Sequence, residues 1–310
     1  MAKRQIIVGA RGSLLSVAQA QGVIRSLRRV FPSRSFSLKK IITFGDRHKR
    51  WQRDDTGIFV KELEEALRIG EIDIAVHSMK DLPTQAPAGL SIAAVTKRED
   101  PRDCLISKEK IAIMKLKKGA IVGTSSLRRR AQLLRLAPGL KIKDLRGNLD
   151  TRMKKLTRGE FDAIVVAMAG VIRLGVFSSD FYIQPIPASL ILPAPGQGAL
   201  ALEVRAGDKI MEAIAKSLNH GESSLRVSCE RAFLGELGGG CRLPVGAFAE
   251  IKNGWLRLRA AAADEDGKIM IRLSRKAPLK EAESLGKLLA CECLKRGGGK
   301  LITRPRNDRK

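Results

Sequence analysis

The sequence predicts an α/β protein with a smaller α+β region at its carboxyl end. Over the first hundred residues, short apolar segments typical of strands alternate with amphipathic helical segments, and the same alternation starts again near residue 103. From residue 221 onward, one helix precedes several strands in succession, as in an α+β domain. With 310 residues, of which 44% are hydrophobic, the chain is long enough for two or three cores.

The first α/β domain is expected to comprise residues 1–97 and 198–220. Its patterns predict strands at 6–10, 36–42, 72–76 and 91–95 and helices at 14–30 and 59–69. The turn-forming sequence Pro193-Ala194-Pro195-Gly196 ends the next domain, and the apolar segment 199–204 is then predicted to return as a strand to one of the sheets. The first domain is therefore expected to be discontinuous.

The second and third domains are predicted at residues 103–193 and 221–310. The second repeats the alternation, with strands at 120–123, 141–145 and 162–167 and helices at 127–136 and 149–158. The third begins with a helix at 225–237, continues with strands at 245–251, 255–262 and 269–274, and ends with a helix at 281–294. This last order predicts an antiparallel sheet with two helices.

The chain is strongly basic, because Lys and Arg outnumber Asp and Glu by 58 to 32 and give a formal net charge of +26. A field of that size attracts polyanions of any kind. Nucleic acid is not expected to be the partner, since the chain has no zinc-finger spacing, no aromatic RNP-like strand and only 4% aromatic residues. The alternative is a small substrate that carries several carboxylates.

The chain is expected to be cytoplasmic and to have no membrane segment. Residues 1–5 run directly into the first strand and leave no room for a secretory signal. The longest nearly apolar segment, residues 161–172, is shorter than the roughly 18–20 residues that cross a bilayer. Five cysteines without disulfide or zinc spacing indicate reduced thiols and no metal site, and Cys104 and Cys229 are predicted to be core residues.

Two segments of the chain, residues 7–14 and 121–127, each run from a strand through Gly and Ser into a helix. The unpaired backbone N–H groups at such a helix start form an anion site at the carboxyl edge of a sheet. Two facing copies are expected to form a cleft. Other basic residues follow strands at equivalent edges, and together they point to the same cleft. These residues are Arg11, Lys80, Arg146 and Arg152.

Three consecutive arginines, Arg128, Arg129 and Arg130, stand at the start of a predicted helix. The helix dipole disfavours cations there by about 0.3–1 kcal/mol each. A bound anion would offset this repulsion, because the guanidinium group grips carboxylates through two hydrogen bonds. The alternative interpretation is a solvated basic face. Neutralising Arg128 or Arg129 is expected to leave helix stability unchanged or improved.

Two further residues are candidates for chemistry. Asp81 is the acidic residue in an otherwise cationic set and can serve as a fixed carboxylate, although Lys80-Asp81 also fits a solvated pair and His77 fits a structural role. Cys241 follows three glycines that can expose its side chain, and the adjacent Arg242 favours the thiolate, which predicts a nucleophile. The alternative for Cys241 is a buried structural cysteine.

These residues together resemble porphobilinogen deaminase, also called hydroxymethylbilane synthase, over nearly the whole chain. Eight stretches in the same order carry the resemblance. They are Thr43-Phe44-Gly45-Asp46, residues 59–64, 73–81, 98–103, 122–129 and 145–148, Pro195-Gly196-Gln197-Gly198 and Gly239-Gly240-Cys241.

The resemblance implies two periplasmic-binding-protein-like α/β domains, a third, smaller α+β domain and a monomeric transferase of heme biosynthesis. It also implies a dipyrromethane cofactor that is joined by a thioether to Cys241. Four porphobilinogen units are condensed on this primer with loss of ammonia, and hydrolysis releases hydroxymethylbilane. The competing hypothesis is a non-catalytic protein that binds anions or nucleic acid in the same basic cleft.

The resemblance also assigns roles to individual residues. Asp81 matches the carboxylate that stabilises the developing cation and helps to move protons. The positions that match cofactor-binding residues are Cys241, Lys80, Asp81, Thr124, Ser126, Arg128, Arg129 and Arg146, and those that match substrate-binding residues are Arg11, Ser13 and Arg152. Thr56 departs from the lysine that is common in the family. The basic residues of the loop 47–53 either replace that charge or are only solvated.

Overall fold

The computed structural model describes residues 4–42, 60–177, 179–239 and 243–303. Its strands are β1 (Ile6–Arg11), β2 (Phe36–Ile41), β3 (Ile74–Ser78), β4 (Leu90–Val95), β5 (Asp103–Ser107), β6 (Ile121–Gly123), β7 (Lys141–Lys143), β8 (Ala163–Ala167), β9 (Tyr182–Pro185), β10 (Leu200–Arg205), β11 (Val245–Lys252), β12 (Trp255–Ala263) and β13 (Met270–Pro278). Its α-helices are α1 (Leu14–Val30), α2 (Lys61–Arg68), α3 (Leu127–Leu136), α4 (Leu149–Thr157), α5 (Met168–Leu174), α6 (Lys209–Lys216), α7 (Gly221–Glu236), α8 (Ala282–Lys295) and α9 (Gly298–Thr303).

The chain divides into two compact units. The first comprises Met1–Pro101, Ala169–Val176 and Gly196–Ser224, and the second comprises Arg102–Met168, Phe177–Pro195 and Leu225–Lys310. One five-stranded sheet belongs to the first unit, whereas the second unit contains another five-stranded sheet and a three-stranded sheet. The predicted fold class, two α/β domains and a smaller α+β domain, is confirmed. The boundaries given above for the three domains stay a prediction.

The sheet of the first unit has the strand order β2-β1-β3-β10-β4. Strand β1 is parallel to β2 and β3, whereas β10 is antiparallel to both of its neighbours. The prediction that the segment after the Pro-rich turn returns to a sheet is therefore confirmed. Strand β3 is buried on both faces, because Ile74 and Val76 pack with α1 and α6 while Ala75 packs with α2.

The five-stranded sheet of the second unit has the same arrangement, in the order β7-β6-β8-β5-β9. Strands β7, β6 and β8 are parallel, and β5 is antiparallel to β8 and β9. Helix α3 covers this sheet by burying Leu133 against Leu105, Val122 and Val165. Strands β5 and β9 were not predicted, since each is a short segment without regular alternation of apolar and polar residues.

The three-stranded sheet is an antiparallel meander in the order β11-β12-β13. One face is apolar and packs against α7 and α8, which contribute Phe233, Leu285 and Leu289 among other residues. The opposite face carries mainly charged side chains, because alternate residues of a strand point to opposite faces. The sheet is thus covered by helices on one side.

The sequence placed several boundaries wrongly. Strand β3 begins at Ile74 rather than at Ile72, whose amide donates to the carbonyl of Ala66 and so closes the turn after α2. Helix α7 begins at Gly221, four residues before its predicted start. Helices α5, α6 and α9 were not predicted. In the described part of the chain, no helix is both long and apolar enough to cross a membrane.

Candidate functional site

In the first unit, the candidate residues Arg11 and Ser13 lie where β1 leads into α1. Arg11 is the last residue of the strand, and Ser13 caps the helix by accepting a hydrogen bond from the Ser16 amide over 3.3 Å. An oxygen acceptor at this position satisfies one of the amides that a helix start leaves without an internal partner. The sequence therefore folds locally as predicted, with both side chains partly exposed at the carboxyl end of β1.

Lys80 and Asp81 lie on a turn of 3-10 helix that directly follows β3. Because β1 and β3 are parallel neighbours, this turn and Arg11 share one edge of the sheet. The intervening Met79 is buried, its amide donates to the carbonyl of Ala199, and a Cβ atom on Gly196 would lie 2.6 Å from its Cγ atom. The packed methionine fixes the turn and leaves the two charged side chains partly exposed.

Asp81 and His77 differ in their surroundings although they are only four residues apart. Within the described part of the chain, no hydrogen bond or ion pair engages the Asp81 side chain. His77 is buried, and its Nε2 atom lies 3.0 Å from Oε2 of Glu203. The pKa of Glu64 is also raised above its ordinary value, first by burial and then by the negative charge of Glu203, the residue that contacts His77. These contacts favour a structural role for His77.

In the second unit, the loop after β6 forms a compact start for helix α3. Thr124 is buried, and its Oγ1 atom accepts a hydrogen bond from the Ser126 amide over 3.2 Å. Ser126 caps the helix by accepting from the Arg129 amide over 3.4 Å. The two hydroxyl groups therefore stand at the positive end of α3, at the carboxyl edge of the second five-stranded sheet.

Arg128 and Arg129 are buried, with exposed fractions of 4% and 6%, so the interpretation as a solvated face is wrong. Both bind the fully buried carboxylate of Asp103. Nη1 of Arg128 donates to Oδ2 over 2.6 Å, and Nε and Nη2 of Arg129 donate to Oδ1 over 3.0 and 2.7 Å. Burial by itself would raise the pKa of Asp103, but the two guanidinium groups outweigh it and hold that pKa well below its ordinary value.

Asp103 supplies the anion that the arginines at the helix start require. As the first residue of antiparallel β5, it pairs with Ala167 at the end of β8 and so lies at the carboxyl edge of the parallel strands. Removing either arginine would leave a buried carboxylate with fewer partners, which is destabilising. The expectation that their neutralisation would leave helix stability unchanged or improved is therefore reversed. Sequence reasoning missed Asp103 because its strand was not predicted.

The two buried arginines differ in the nitrogen atoms that they commit to the protein. All three nitrogens of Arg129 donate, since Nη1 also bonds to the carbonyl of Val165 over 3.1 Å. Arg128 donates through Nη1 only, to Asp103 and over 2.7 Å to the carbonyl of Leu192. Its Nε and Nη2 atoms donate to no residue that the structure describes. Arg128 therefore keeps one side of its guanidinium fork for another acceptor.

Arg146 and Arg152 follow β7, so they belong to the same sheet edge as Thr124 and Ser126. Arg146 is exposed. Nε of Arg152 donates to the carbonyl of Gly147 over 2.8 Å, and burial together with the positive charge of Arg129 lowers the pKa of Arg152 to about 10. A cation that is crowded by another cation gains from a bound carboxylate. The second unit thus concentrates four guanidinium groups, with the Asp103 carboxylate between two of them, and two hydroxyl groups along one edge.

Arg173 is an additional candidate that the sequence reasoning missed. It lies in α5 of the first unit and donates through Nη2 to the carbonyl of Gly198 over 2.6 Å. Burial lowers its pKa, and the nearby Glu99 partly opposes that effect. The available sign was a lone arginine next to the nearly apolar segment 161–172, which the sequence analysis considered only as a membrane segment.

Several predictions fall on residues that the structure does not describe. Cys241, Arg242, Thr56 and the basic loop 47–53 all lie outside the described ranges. The described part of the glycine run does bend, since Gly238 and Gly239 have φ values of 93° and 56° and the Gly239 amide donates to the carbonyl of Leu234. This left-handed ending terminates α7.

The family is decided by the extent of the sequence match. The family model described as "Porphobilinogen deaminase, dipyromethane cofactor binding domain" matches residues 6–213, and the one described as "Porphobilinogen deaminase, C-terminal domain" matches residues 224–295. The chain belongs to the porphobilinogen deaminase family. All candidate site residues that the structure describes lie within the cofactor-binding match.

Relatives of this family match over nearly their full length. The porphobilinogen deaminase of Thermus thermophilus is 47% identical over 305 residues, which are 98% of this chain and 100% of that protein. The porphobilinogen deaminase of Deinococcus radiodurans is 44% identical over 306 residues, which are 96% of this chain and 98% of that protein. The matches therefore cover nearly the whole of both relatives.

Solved structures give a more distant similarity. The periplasmic VFT2 domain of Bordetella pertussis BvgS is 15% identical with a TM-score of 0.43, and the match covers 71% of this chain and 90% of that one. The BenM effector binding domain is 13% identical with a TM-score of 0.44, over 70% of this chain and 90% of that one.

Among the described residues, no group of three or more His, Cys, Asp or Glu side chains is placed to hold a metal ion.

Proposed function

We propose that the chain is an active porphobilinogen deaminase, that is, a hydroxymethylbilane synthase of heme biosynthesis. It condenses four porphobilinogen units with loss of ammonia on a covalent dipyrromethane primer and releases hydroxymethylbilane by hydrolysis. The observation that carries the proposal is the match of residues 6–213 to the cofactor-binding domain of the family. The enzyme acts in the cytoplasm as a monomer, and its partner is the small molecule porphobilinogen.

The donors on the second unit suit the chemistry of the cofactor. Each pyrrole of a dipyrromethane carries an acetate and a propionate, and such carboxylates bind best to guanidinium groups, hydroxyl groups and the amides of a helix start. Arg128 keeps Nε and Nη2 uncommitted to described residues, and Ser126 stands at the start of α3. With Lys80 and Asp81, the residues that hold the cofactor are Thr124, Ser126, Arg128, Arg129 and Arg146.

Arg129 contributes mainly by its charge and by its position. Its three nitrogens already donate to Asp103 and to the Val165 carbonyl, so its guanidinium plane is held still. Fixed positive charge costs little reorganisation when an anion binds. When bound through a thioether to Cys241, the dipyrromethane supplies the unsubstituted pyrrole carbon to which the substrate units are added.

Asp81 is the catalytic residue of this proposal. Its carboxylate is partly exposed and bonds to no described residue, so it is available to the reacting groups. A porphobilinogen becomes cationic as its ammonia leaves, and a fixed negative charge close to it stabilises the transition state. The same carboxylate would accept the α-proton of the terminal pyrrole, whose loss restores aromaticity after the α-carbon has bonded to the methylene carbon of the incoming unit. Arg11, Ser13 and Arg152 hold the carboxylates of the incoming substrate.

The competing hypothesis is a protein that binds anions through the same residues without catalysis. The intact mass of the purified chain separates the two, because an active deaminase is heavier than its sequence by two linked pyrrole units. A Cys241→Ser variant is the matched control. We expect it to fold, to have the mass of its sequence and to form no hydroxymethylbilane. A wild-type chain without added mass, or normal turnover by Cys241→Ser, would contradict the proposal.

A further inference from the structure

On the face of the three-stranded sheet opposite α7 and α8, Ala261 and Ala263 are buried at one end, where α3 contacts β12. The other end, which carries Lys252 and Trp255, is exposed. We call it the outer face and define it by the side chains opposite the apolar core, namely Phe248, Glu250, Lys252, Trp255, Arg257, Arg259, Ser274 and Lys276. The strand register places them in rows, with Arg257 between Glu250 and Lys276, and Arg259 between Phe248 and Ser274. None of them belongs to the candidate active site.

The outer face is positively charged. Lys252, Arg257 and Lys276 are exposed, whereas the acidic Glu250 accepts a 2.7 Å hydrogen bond from Nη2 of Arg259. That ion pair neutralises the carboxylate and leaves the three other cations in excess. They line a groove of about 740 Å³ together with Glu250, Ile251, Asn253 and Trp255. An anionic chain that follows this groove meets a positive charge on each of the three strands.

Trp255 adds an aromatic surface to this charged groove. Trp255 is 51% exposed, and it stands beside Lys252 on the neighbouring strand. Exposed aromatic rings among cations are the means by which proteins hold single-stranded nucleic acid, since bases stack on the ring while cations bind the phosphates. Arg259 already makes a contact of the cation–π type, 5.3 Å from the ring centre of Phe248.

We propose that the outer face binds single-stranded nucleic acid, with Trp255 as the stacking residue and with Lys252, Arg257 and Lys276 as phosphate ligands. The low overall aromatic content, one of the reasons for which nucleic acid was not expected, does not reveal that one of the few aromatic side chains is exposed in a basic groove. A bilayer surface is a poorer fit, because Trp255 is the one large apolar side chain that the described part of this face exposes.

The test measures binding of a fluorescent oligothymidine to the full-length holoenzyme by anisotropy over a range of salt concentrations. Trp255→Ala should weaken binding about tenfold or more, and Trp255→Phe should restore most of the loss, because phenylalanine keeps a stacking surface. In the double variant Arg257→Gln/Lys276→Gln, the plot of the logarithm of the association constant against the logarithm of the salt concentration should become less steep by about 1.4. Porphobilinogen turnover should stay at the wild-type level in each variant.

The matched control removes two charges from the opposite side of the same domain. Lys287→Gln/Lys295→Gln changes two exposed residues of α8, the helix that packs on the inner face, and should leave binding almost unchanged. Equal losses in the control and in Arg257→Gln/Lys276→Gln would overturn the proposal in favour of the overall charge. Wild-type binding by Trp255→Ala, or binding of anionic vesicles without any binding of the oligonucleotide, would overturn it as well.

Discussion

Two aspartates at the edges of the two five-stranded sheets have opposite fates. Asp103 in the second unit is fully buried and binds two guanidinium groups, whereas Asp81 in the first unit is partly exposed and bonds to no described residue. Both lie near cations that were predicted to be site residues, although Asp103 itself was not predicted. The comparison teaches that a carboxylate near cations either binds them as a buried counterion or stays accessible to other groups, and burial separates the two outcomes.

The difference follows from the position of each residue on its sheet. Asp103 begins the antiparallel strand β5, so its side chain is enclosed between β8 and helix α3. Asp81 ends a 3-10 turn that projects beyond β3, where only the preceding Met79 is packed into the core. A strand residue is fixed by its ladder on both sides, whereas a turn residue is fixed through its neighbours. The same residue type is thereby structural at one edge and free to act at the other.

The largest expected effect is that of Asp103→Asn on stability. Asparagine keeps the size but removes the charge, so two buried guanidinium groups lose their counterion. Breaking a buried charge pair costs about 3–5 kcal/mol. We expect the free energy of unfolding of the second unit, measured by urea denaturation at neutral pH, to fall by that amount. Asp81→Asn, the matched control at the other edge, should change it by less than about 0.5 kcal/mol.

The pH dependence gives this comparison a second reading. The folded-state pKa of Asp103 lies below the ordinary value of 3.8, so its contribution to stability is fully present above pH 3.8. That contribution is lost as the pH falls through the folded-state pKa. The stability gap between wild type and Asp103→Asn should therefore be constant near neutral pH and shrink in strong acid. A gap that is negligible at neutral pH, or that widens in acid, would show that Asp103 is not the counterion.

The next effect is that of Asp81→Asn on turnover. If its charge stabilises the cation that forms as ammonia leaves, removal of the charge should slow the chemical step by at least about 10²-fold. Asp81→Glu keeps the charge but shifts it by one methylene group, and it should retain more activity than Asn. The measurement is single-turnover formation of enzyme–pyrrole complexes by protein already loaded with cofactor. An inactive Glu variant beside a fully active Asn variant would contradict the electrostatic role.

Much of the fold could be predicted because its regular elements have clear periodicity. Helices α1 and α3 have the bounds that the sequence predicted, since Ser13 and Ser126 mark their starts and amphipathic patterns fix their lengths. The sequence failed where short segments carry little pattern. Strands β5 and β9 have five and four residues, and they become strands because β5 pairs with β8 and β9 in turn pairs with β5. Local periodicity does not reveal pairing between strands that are distant in the sequence.

The candidate site divides in the same way. Loops after parallel strands share a sheet edge, so the sequence could group Arg11 with Lys80 and Thr124 with Arg152. It could not find Asp103 as the partner of Arg128 and Arg129, because that contact joins residues 25 and 26 positions apart on separate elements. Local pattern alone could not separate the three consecutive arginines, because their surroundings depend on the helix face that each occupies. The family resemblance did separate them, since it gave roles to Arg128 and Arg129 and none to Arg130.

The smallest effect should come from Arg130, the third of these arginines. Its Nη2 atom lies 2.9 Å from Oδ1 of Asp266, but the two side chains are 27% and 36% exposed. An exposed ion pair contributes about 0.2–1 kcal/mol, and removing a cation from a helix start returns a few tenths of a kcal/mol. Arg130→Gln should therefore change the free energy of unfolding by less than about 0.5 kcal/mol.

Asp266→Asn, which breaks the ion pair without removing the cation from the helix start, should cost slightly more. Both differences should shrink in high salt because solvent ions screen exposed charges. Cofactor loading, read from the intact mass, should be complete in both variants. If Arg130→Gln lowered the free energy of unfolding as much as Asp103→Asn, or if the variant carried no cofactor, Arg130 would have the same role as Arg128 and Arg129.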